Sequence, residues 1–138
     1  MEDVWELYKH TKFVMAQPLS ASLSFAVITA HNPRGEVMSE AYNRFLDQCL
    51  QQDIASLNTP YRSVWGSAPD FSHNERSWAV LADKNTAVEL AKQYQQNAIY
   101  WINQNQLYLT PCMMSQQNEV HLGEFDRRVV VTGVLPWE

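Results

Sequence analysis

An uncharged run of eight residues, 23–30, constrains the fold more than any other part of the chain. In an extended backbone its side chains point alternately to opposite faces, with Phe25 and Val27 on one face and Ala26 and Ile28 on the other. Both faces are apolar or small, a pattern typical of a central strand that is covered on both sides. We therefore expect this strand to lie inside a sheet, with other elements packed on each face.

A polar turn, His31-Asn32-Pro33-Arg34-Gly35, ends this run abruptly. Pro33 has no N–H group to donate to a sheet, and it biases Asn32 towards an extended or turn conformation. Gly35 can adopt backbone angles that other residues resist. A buried strand that ends in a polar turn before a helix is a common position for a site in α/β and α+β proteins. An ordinary connecting turn is the alternative interpretation.

The composition of the 138 residues indicates one globular domain, which we assign to residues 1–138. Apolar residues make up 46% and charged residues 18%, so the chain can form a core without disulfides. Its two cysteines, Cys49 and Cys112, form no metal-ligand motif and suit a reducing compartment. The N-terminus is unlike a signal peptide, and no apolar run approaches the ~18 residues of a membrane span. We expect a soluble cytoplasmic protein with no membrane partner.

The formal net charge of −5 argues against a nucleic-acid partner, because phosphate backbones select for Lys and Arg. Aromatic side chains on the predicted strands could in principle stack on bases, as in RNA-recognition folds. No pattern of alternating basic and aromatic residues accompanies them. We therefore expect these aromatic residues to pack in the core; they are Trp65, Trp78, Tyr100, Trp101 and Tyr108.

Hydrophobic periodicity predicts three helices, at residues 2–11, 38–55 and 86–95. Strands are predicted at 13–15, 23–30, 61–66, 75–82, 98–102 and 107–110, followed by a terminal hairpin of 119–122 with 127–132. The second helix is expected to bury an apolar stripe formed by Tyr42, Phe45, Leu46, Cys49, Leu50 and Ile54.

From residue 23 onwards the predicted order of elements is β–α–β–β–α–β. This order predicts an α+β protein with a ferredoxin-like two-layer sandwich, to which an N-terminal helix and C-terminal strands are added. Because strand 23–30 is apolar on both faces, we expect the N-terminal helix or the tail to cover its second face.

A set of short segments, spread over about residues 5–110, resembles a known bacterial family in residue type and order. The segments are Ile28-Thr29-Ala30, Asn32-Pro33, Asn43, Gly66, Glu75 with Ser77, Ala87 with Leu90-Ala91, and Gln96-Asn97-Ala98. The family is DUF3293, a domain of unknown function. The chain departs from it at His31, where many members have an aromatic residue, and in the C-terminal extension 111–138. The resemblance implies no activity, substrate or cofactor, so it supports the choice of positions and leaves their chemistry and any cofactor unknown.

Six polar residues are our candidates for ligand binding: Asn32, Arg34, Asn43, Glu75, Gln96 and Asn97. Amide-rich sites suit neutral hydrogen-bonding ligands, and an arginine adds a contact for a carboxylate or phosphate. Our leading hypothesis is a small-molecule-binding domain with a polar pocket after the first central strand. The structural alternative is that the asparagines only close turns and end helices.

Glu75, His73 and His31 are the candidates for catalysis, in a hydrolase or transferase that uses one of them as a general base. His73 and Glu75 are two positions apart, so they share a face of an extended segment. No nucleophile motif accompanies them, and Glu75 could instead pair with an arginine. The three residues could converge on a metal, but no spacing such as HExxH occurs, and we predict no metal site.

A third hypothesis is a protein-interaction module. An exposed edge strand could pair with a protein partner or with a second copy of the chain to form a homodimer. Polar residues gathered in one concave pocket would favour the binding domain or the enzyme, whereas scattered residues beside a flat apolar patch would favour the interaction module.

Overall fold

One curled sheet of eight strands organises the part of the chain that the computed structural model describes, residues 3–133. The strands are β1 (Lys12–Met15), β2 (Ser24–Ile28), β3 (Tyr61–Ser67), β4 (Asn74–Val80), β5 (Ala98–Asn103), β6 (Gln106–Pro111), β7 (Val120–Glu124) and β8 (Val129–Val131). Their spatial order is β7-β6-β5-β2-β4-β3-β1-β8. Every neighbouring pair is antiparallel except β1 with β8, which is parallel.

Three helices pack on this sheet: α1 (Val4–Tyr8), α2 (Glu40–Ala55) and α3 (Lys84–Gln93). Two short 3-10 turns, Pro33–Gly35 and Phe125–Arg128, complete the described elements. Side chains cap the starts of the two longer helices: Ser39 accepts a hydrogen bond from a backbone N–H of α2, and Asp83 accepts one from α3. None of the described helices is long and apolar enough to cross a membrane.

Strand β2 lies inside the sheet, between β4 and β5, as its uncharged sequence predicts. Its alternating side chains divide between two cores. Ala26 and Ile28 belong to the cluster beneath α2 and α3, whereas Phe25 and Val27 belong to a second cluster on the opposite face. The prediction of a strand covered on both sides is therefore confirmed.

The second core is built from aromatic contacts between distant parts of the chain. Phe125, from the C-terminal 3-10 turn, packs against Phe13 with ring centroids 5.0 Å apart and against Phe25 at 5.4 Å. The ring of Tyr100 meets that of Phe13 edge to face at 4.9 Å. The tail thus covers part of this face through Phe125, which is one of the two possibilities that the sequence leaves open.

The predicted α+β class is confirmed, and so are the extra N-terminal helix and C-terminal strands. The sheet is larger than that of the predicted two-layer sandwich, because β1 and β8 extend one side and β6 and β7 the other. Residue 2 of the predicted first helix and residues 134–138 of the predicted C-terminal extension lie outside the described residues.

The predicted terminal hairpin is wrong. Strand β7 pairs with β6 at one edge of the sheet, whereas β8 pairs with β1 at the other edge. The 3-10 turn between them buries Phe125 in the second core and so carries the chain from one edge to the other. Burial of this aromatic side chain is the physical reason that the two segments separate.

The predicted apolar stripe of α2 is partly wrong. Tyr42 and Phe45 are 46% and 57% exposed, whereas Asn43 is buried at 6%. Two polar contacts set the rotation of the helix: Asn43 bonds to Asn32 in the polar turn, and Asp47 accepts a hydrogen bond of 2.8 Å from Trp78 Nε1.

Candidate functional site

A cavity of about 510 Å³ lies on the second face of the sheet, between the strands and α1. Its walls are mostly apolar, with Val27, Phe13 and Leu109 contributed by strands and Val4 and Leu7 by α1. A smaller cavity of about 280 Å³ lies beside Phe125, and Asp126 is the one titratable residue among the described residues that line it. The larger cavity is lined by the candidate catalytic residues His31, His73 and Glu75.

The period of two along each strand determines which polar residues face this cavity. Thr29 and His31 continue the same side of β2 as Val27. Glu75 and Ser77 share one face of β4 in the same way. Polar side chains therefore gather where β2 and β4 reach the polar turn, at one end of an otherwise apolar cavity.

His31, His73 and Glu75 form a compact cluster at this polar end. His73 Nε2 lies 3.0 Å from Glu75 Oε1, and the two imidazole rings meet edge to face with centroids 5.8 Å apart. One potential ligand atom from each of the three residues lies within 4.8 Å of the others. His31 and Glu75 are half-buried, whereas His73 is exposed. The structure thus brings together all three residues that the sequence suggests for catalysis.

The two histidines of this cluster have different electrostatic surroundings. Burial lowers the pKa of His31, since desolvation disfavours the imidazolium form. The hydrogen bond that Glu75 accepts from the ring raises the pKa of His73, since it stabilises the protonated form. Burial therefore favours the neutral form of the His31 ring, whereas the neighbouring Glu75 favours the protonated form of the His73 ring.

An amide network at the polar end of the cavity holds the polar turn. The Asn32 backbone N–H donates to Asn43 Oδ1 at 2.9 Å, and Asn43 Nδ2 donates to Asn32 Oδ1 at 2.9 Å. The Met38 N–H donates to the same Asn32 oxygen at 3.0 Å. Asn43 Nδ2 also lies 3.4 Å from His31 Nε2, and Gln96 Nε2 donates to the His31 carbonyl at 3.2 Å. These amides position His31.

A second group of polar contacts attaches α1 to the sheet. The Tyr100 hydroxyl donates to the Tyr8 carbonyl at 2.5 Å and lies 2.7 Å from Thr11 Oγ1. Asn97 Nδ2 donates to the Tyr8 hydroxyl at 3.2 Å. Burial raises the pKa of both tyrosines, so both hydroxyls are neutral. Tyr8, Thr11 and Tyr100 from this group line the cavity.

The six residues that the sequence proposes for ligand binding separate into three groups. Asn32, Glu75 and Gln96 line the cavity. Asn43 and Asn97 bond to residues that line it. The side chain of Arg34 is exposed, and its backbone N–H donates to the Gln95 carbonyl at 2.7 Å.

Sequence reasoning missed several polar residues of the cavity: Tyr8, Thr11, Thr29, Ser77 and Tyr100. Thr29 is two positions from His31, and Ser77 is two positions from Glu75. This spacing could have predicted that Thr29 and Ser77 face the cavity, because residues two apart share one face of a strand. Tyr8 and Thr11 gave no such signal, since they precede the sheet residues they contact by about ninety positions.

Fold and site together define an α+β protein with an internal cavity and a His–His–Glu cluster at one end. A family model described as "Protein of unknown function (DUF3293)" matches residues 28–99, more than half of the chain. The chain belongs to this family. The matched region contains the polar turn and the whole cluster. Comparisons with curated proteins and with solved structures gave no match.

Proposed function

We propose that this protein is a small-molecule-binding domain whose ligand occupies the cavity between the sheet and α1. The observation that carries this proposal is a cavity of about 510 Å³ with apolar walls and one polar end. Binding sites for small molecules typically have volumes of roughly 300–1,000 Å³, mostly apolar linings and a few convergent polar groups. The ligand that suits this cavity has an apolar body and a polar head directed at His31, His73 and Glu75.

An enzyme is the second candidate, and the electrostatics of the cluster favour it. A neutral histidine beside a histidine–carboxylate pair is a suitable arrangement for general acid–base chemistry. His31 would accept a proton, and His73 would donate one. Groups with shifted pKa values in a cavity are a recognised mark of catalytic sites.

Three further interpretations stay predictions. The inner strands follow the order β5-β2-β4-β3 with α2 and α3 as crossovers, which supports interpreting them as a ferredoxin-like unit inside the larger sheet. A cytoplasmic location in a bacterium rests on the sequence alone. An interaction through an edge strand would use β7 or β8.

The test is titration with the fluorescent apolar anion anilinonaphthalene sulfonate, in the presence of a chelator, for wild type and two variants. Ala98 lines the cavity, so Ala98→Leu places extra carbon atoms inside it. Ala55 is exposed at the end of α2, so Ala55→Leu adds the same atoms outside it. We expect wild type and Ala55→Leu to bind the probe equally, and Ala98→Leu to bind it at least about tenfold more weakly, a loss of about 1.4 kcal/mol.

Melting temperatures measured on the same samples establish that each variant is folded. No fluorescence increase with wild type would contradict the proposal. Equal binding by a folded Ala98→Leu variant would also contradict it, because the probe would then be binding elsewhere.

A further inference from the structure

The sequence spacing alone predicts no metal site, but the fold brings three potential ligand side chains together. In place of that prediction, we propose that His31, His73 and Glu75 bind one divalent transition-metal ion, best matched by Zn²⁺, at the polar end of the cavity. The inference rests on the proposed function in one respect, since the head group of the bound molecule would complete the coordination of the ion. The case for the three protein ligands depends only on their own geometry and chemistry.

The spacing of the three side chains suits a small ion. Bonds of about 2.0–2.2 Å to a tetrahedral Zn²⁺ place neighbouring donor atoms about 3.3–3.6 Å apart. In the structure the three potential ligand atoms lie within 4.8 Å of one another, and His73 Nε2 and Glu75 Oε1 are 3.0 Å apart. Small side-chain rotations therefore convert the cluster into a coordination site.

The ligand types point to a particular class of metal. Two imidazoles and one carboxylate are a ligand set of catalytic zinc sites, in which the fourth position is open. Imidazole nitrogen suits zinc and its transition-metal neighbours, whereas calcium and magnesium prefer a shell of oxygens. His73 Nε2 and Glu75 Oε1 are joined by a hydrogen bond of 3.0 Å, and a bound ion would replace the proton of that bond.

His31 is already held in place for this role. Its backbone N–H donates to Thr29 Oγ1 at 3.1 Å, and its carbonyl accepts from Gln96 Nε2 at 3.2 Å. Both contacts fix the backbone of His31, so its side chain is restricted in position before an ion binds and less conformational entropy is lost on binding.

The fourth coordination position would face the cavity. A divalent ion with one carboxylate carries a single positive charge, which would favour a head group with one negative charge, such as a carboxylate. The apolar walls would then receive the body of the same molecule. The metal would thus bind the polar head of the proposed small molecule, while the cavity walls contact its apolar body.

The test is a titration of the full chain with Zn²⁺ in competition with a chromogenic chelator, together with the absorption spectrum of the Co²⁺ form. The variants are His73→Gln, Glu75→Gln and His31→Gln, with melting temperatures measured for each. His121→Gln is the matched control, because His121 is exposed on β7, where it bonds to Gln106 at 2.8 Å. His73 is exposed, so its variant should stay folded even where His31→Gln does not.

We expect one Zn²⁺ per chain and a tetrahedral Co²⁺ spectrum for wild type and His121→Gln. Each substitution in the cluster should weaken binding by more than about 100-fold, which exceeds the usual effect of losing an outer contact. Absence of Zn²⁺ binding by wild type would overturn the inference. Equal binding by a folded His73→Gln variant would overturn it as well.

The two proposals fail separately. The fluorescent probe is titrated in a chelator, so it reports on the cavity without metal. Probe binding without Zn²⁺ binding would overturn the metal site alone, whereas Zn²⁺ binding without probe binding would overturn the small-molecule function alone.

Discussion

His31 and His73 are neighbours, but their surroundings shift their pKa values in opposite directions. As pH falls, one histidine therefore adds to the free energy of unfolding while the other subtracts from it. The folded-state pKa of His73 is raised, so its contribution to stability is complete below the unfolded value of about 6.5 and is lost as pH rises through the folded pKa. The folded-state pKa of His31 is lowered, so its contribution is complete above about 6.5 and is lost as pH falls through the folded pKa.

We therefore predict opposite pH trends for two glutamine variants. The difference in free energy of unfolding between wild type and His73→Gln should grow as pH falls from about 8 to about 5.5. His31→Gln should instead lose less stability than wild type over the same range, because glutamine takes up no proton. Urea unfolding at a series of pH values, in the presence of a chelator, measures both.

His121→Gln again serves as the control, since it lies outside the cluster. Parallel curves of stability against pH for wild type and both cluster variants would show that the two rings have the same environment, contrary to the structure.

At the scale of single elements, the sequence pattern predicted those features that depend only on neighbouring residues in the chain. The alternation of 23–30 correctly assigned Ala26 and Phe25 to different cores, because the period of a strand is fixed by its backbone. The rotation of α2 was not predictable in the same way. It depends on the buried amide of Asn43 and on a bond between Asp47 and Trp78, and neither contact follows from the hydrophobic period of the helix.

The strand pairing of the tail could not be predicted either, for a related reason. The parallel pairing of β1 with β8 joins segments more than one hundred residues apart, and three consecutive valines carry no information about their partner. Phe125 is the residue that determines the path, since it is 5% exposed and packs against rings from both β1 and β2.

We predict that Phe125→Ala lowers the free energy of unfolding by about 3–5 kcal/mol, the range for deleting a buried aromatic ring. Phe45→Ala is the matched control, because Phe45 is 57% exposed on α2, and it should change stability by less than about 1 kcal/mol. Chemical denaturation measures both. Similar small effects for the two variants would mean that the tail is not part of the second core.

At the scale of the whole molecule, the site was predictable in its polar part and not in its apolar part. The sequence predicts that His73 and Glu75 share a face because they are two positions apart, and it allows His31 to converge with them. The pairing of β2 with β4, which brings His31 to them, is seen only in the structure. The cavity itself depends on α1, which contacts Tyr100 and Asn97 across about ninety residues. Nothing in the local sequence of α1 distinguishes a cavity wall from an ordinary surface helix.

We expect helix α1 to be a region of lower local stability beside the cavity. It has only five residues, and a helix of that length depends on tertiary contacts. Its described attachments include the buried side chain of Trp5, the hydrogen bonds of Tyr8, and a bond from the Arg128 guanidinium to the Lys9 carbonyl. Opening of α1 would admit a molecule to the cavity while the sheet stays folded.

Hydrogen exchange tests this separation. We predict that the α1 region, represented by the amides of Leu7, Lys9 and His10, exchanges faster than the amides of β2. Tyr100→Phe removes the hydroxyl that holds the Tyr8 carbonyl, which should speed exchange in α1 roughly 5- to 10-fold and leave β2 unchanged. Tyr108→Phe, on β6, is the control and should change neither. If α1 and β2 exchanged at one rate in wild type, the molecule would open only as a whole, and access to the cavity would require another route.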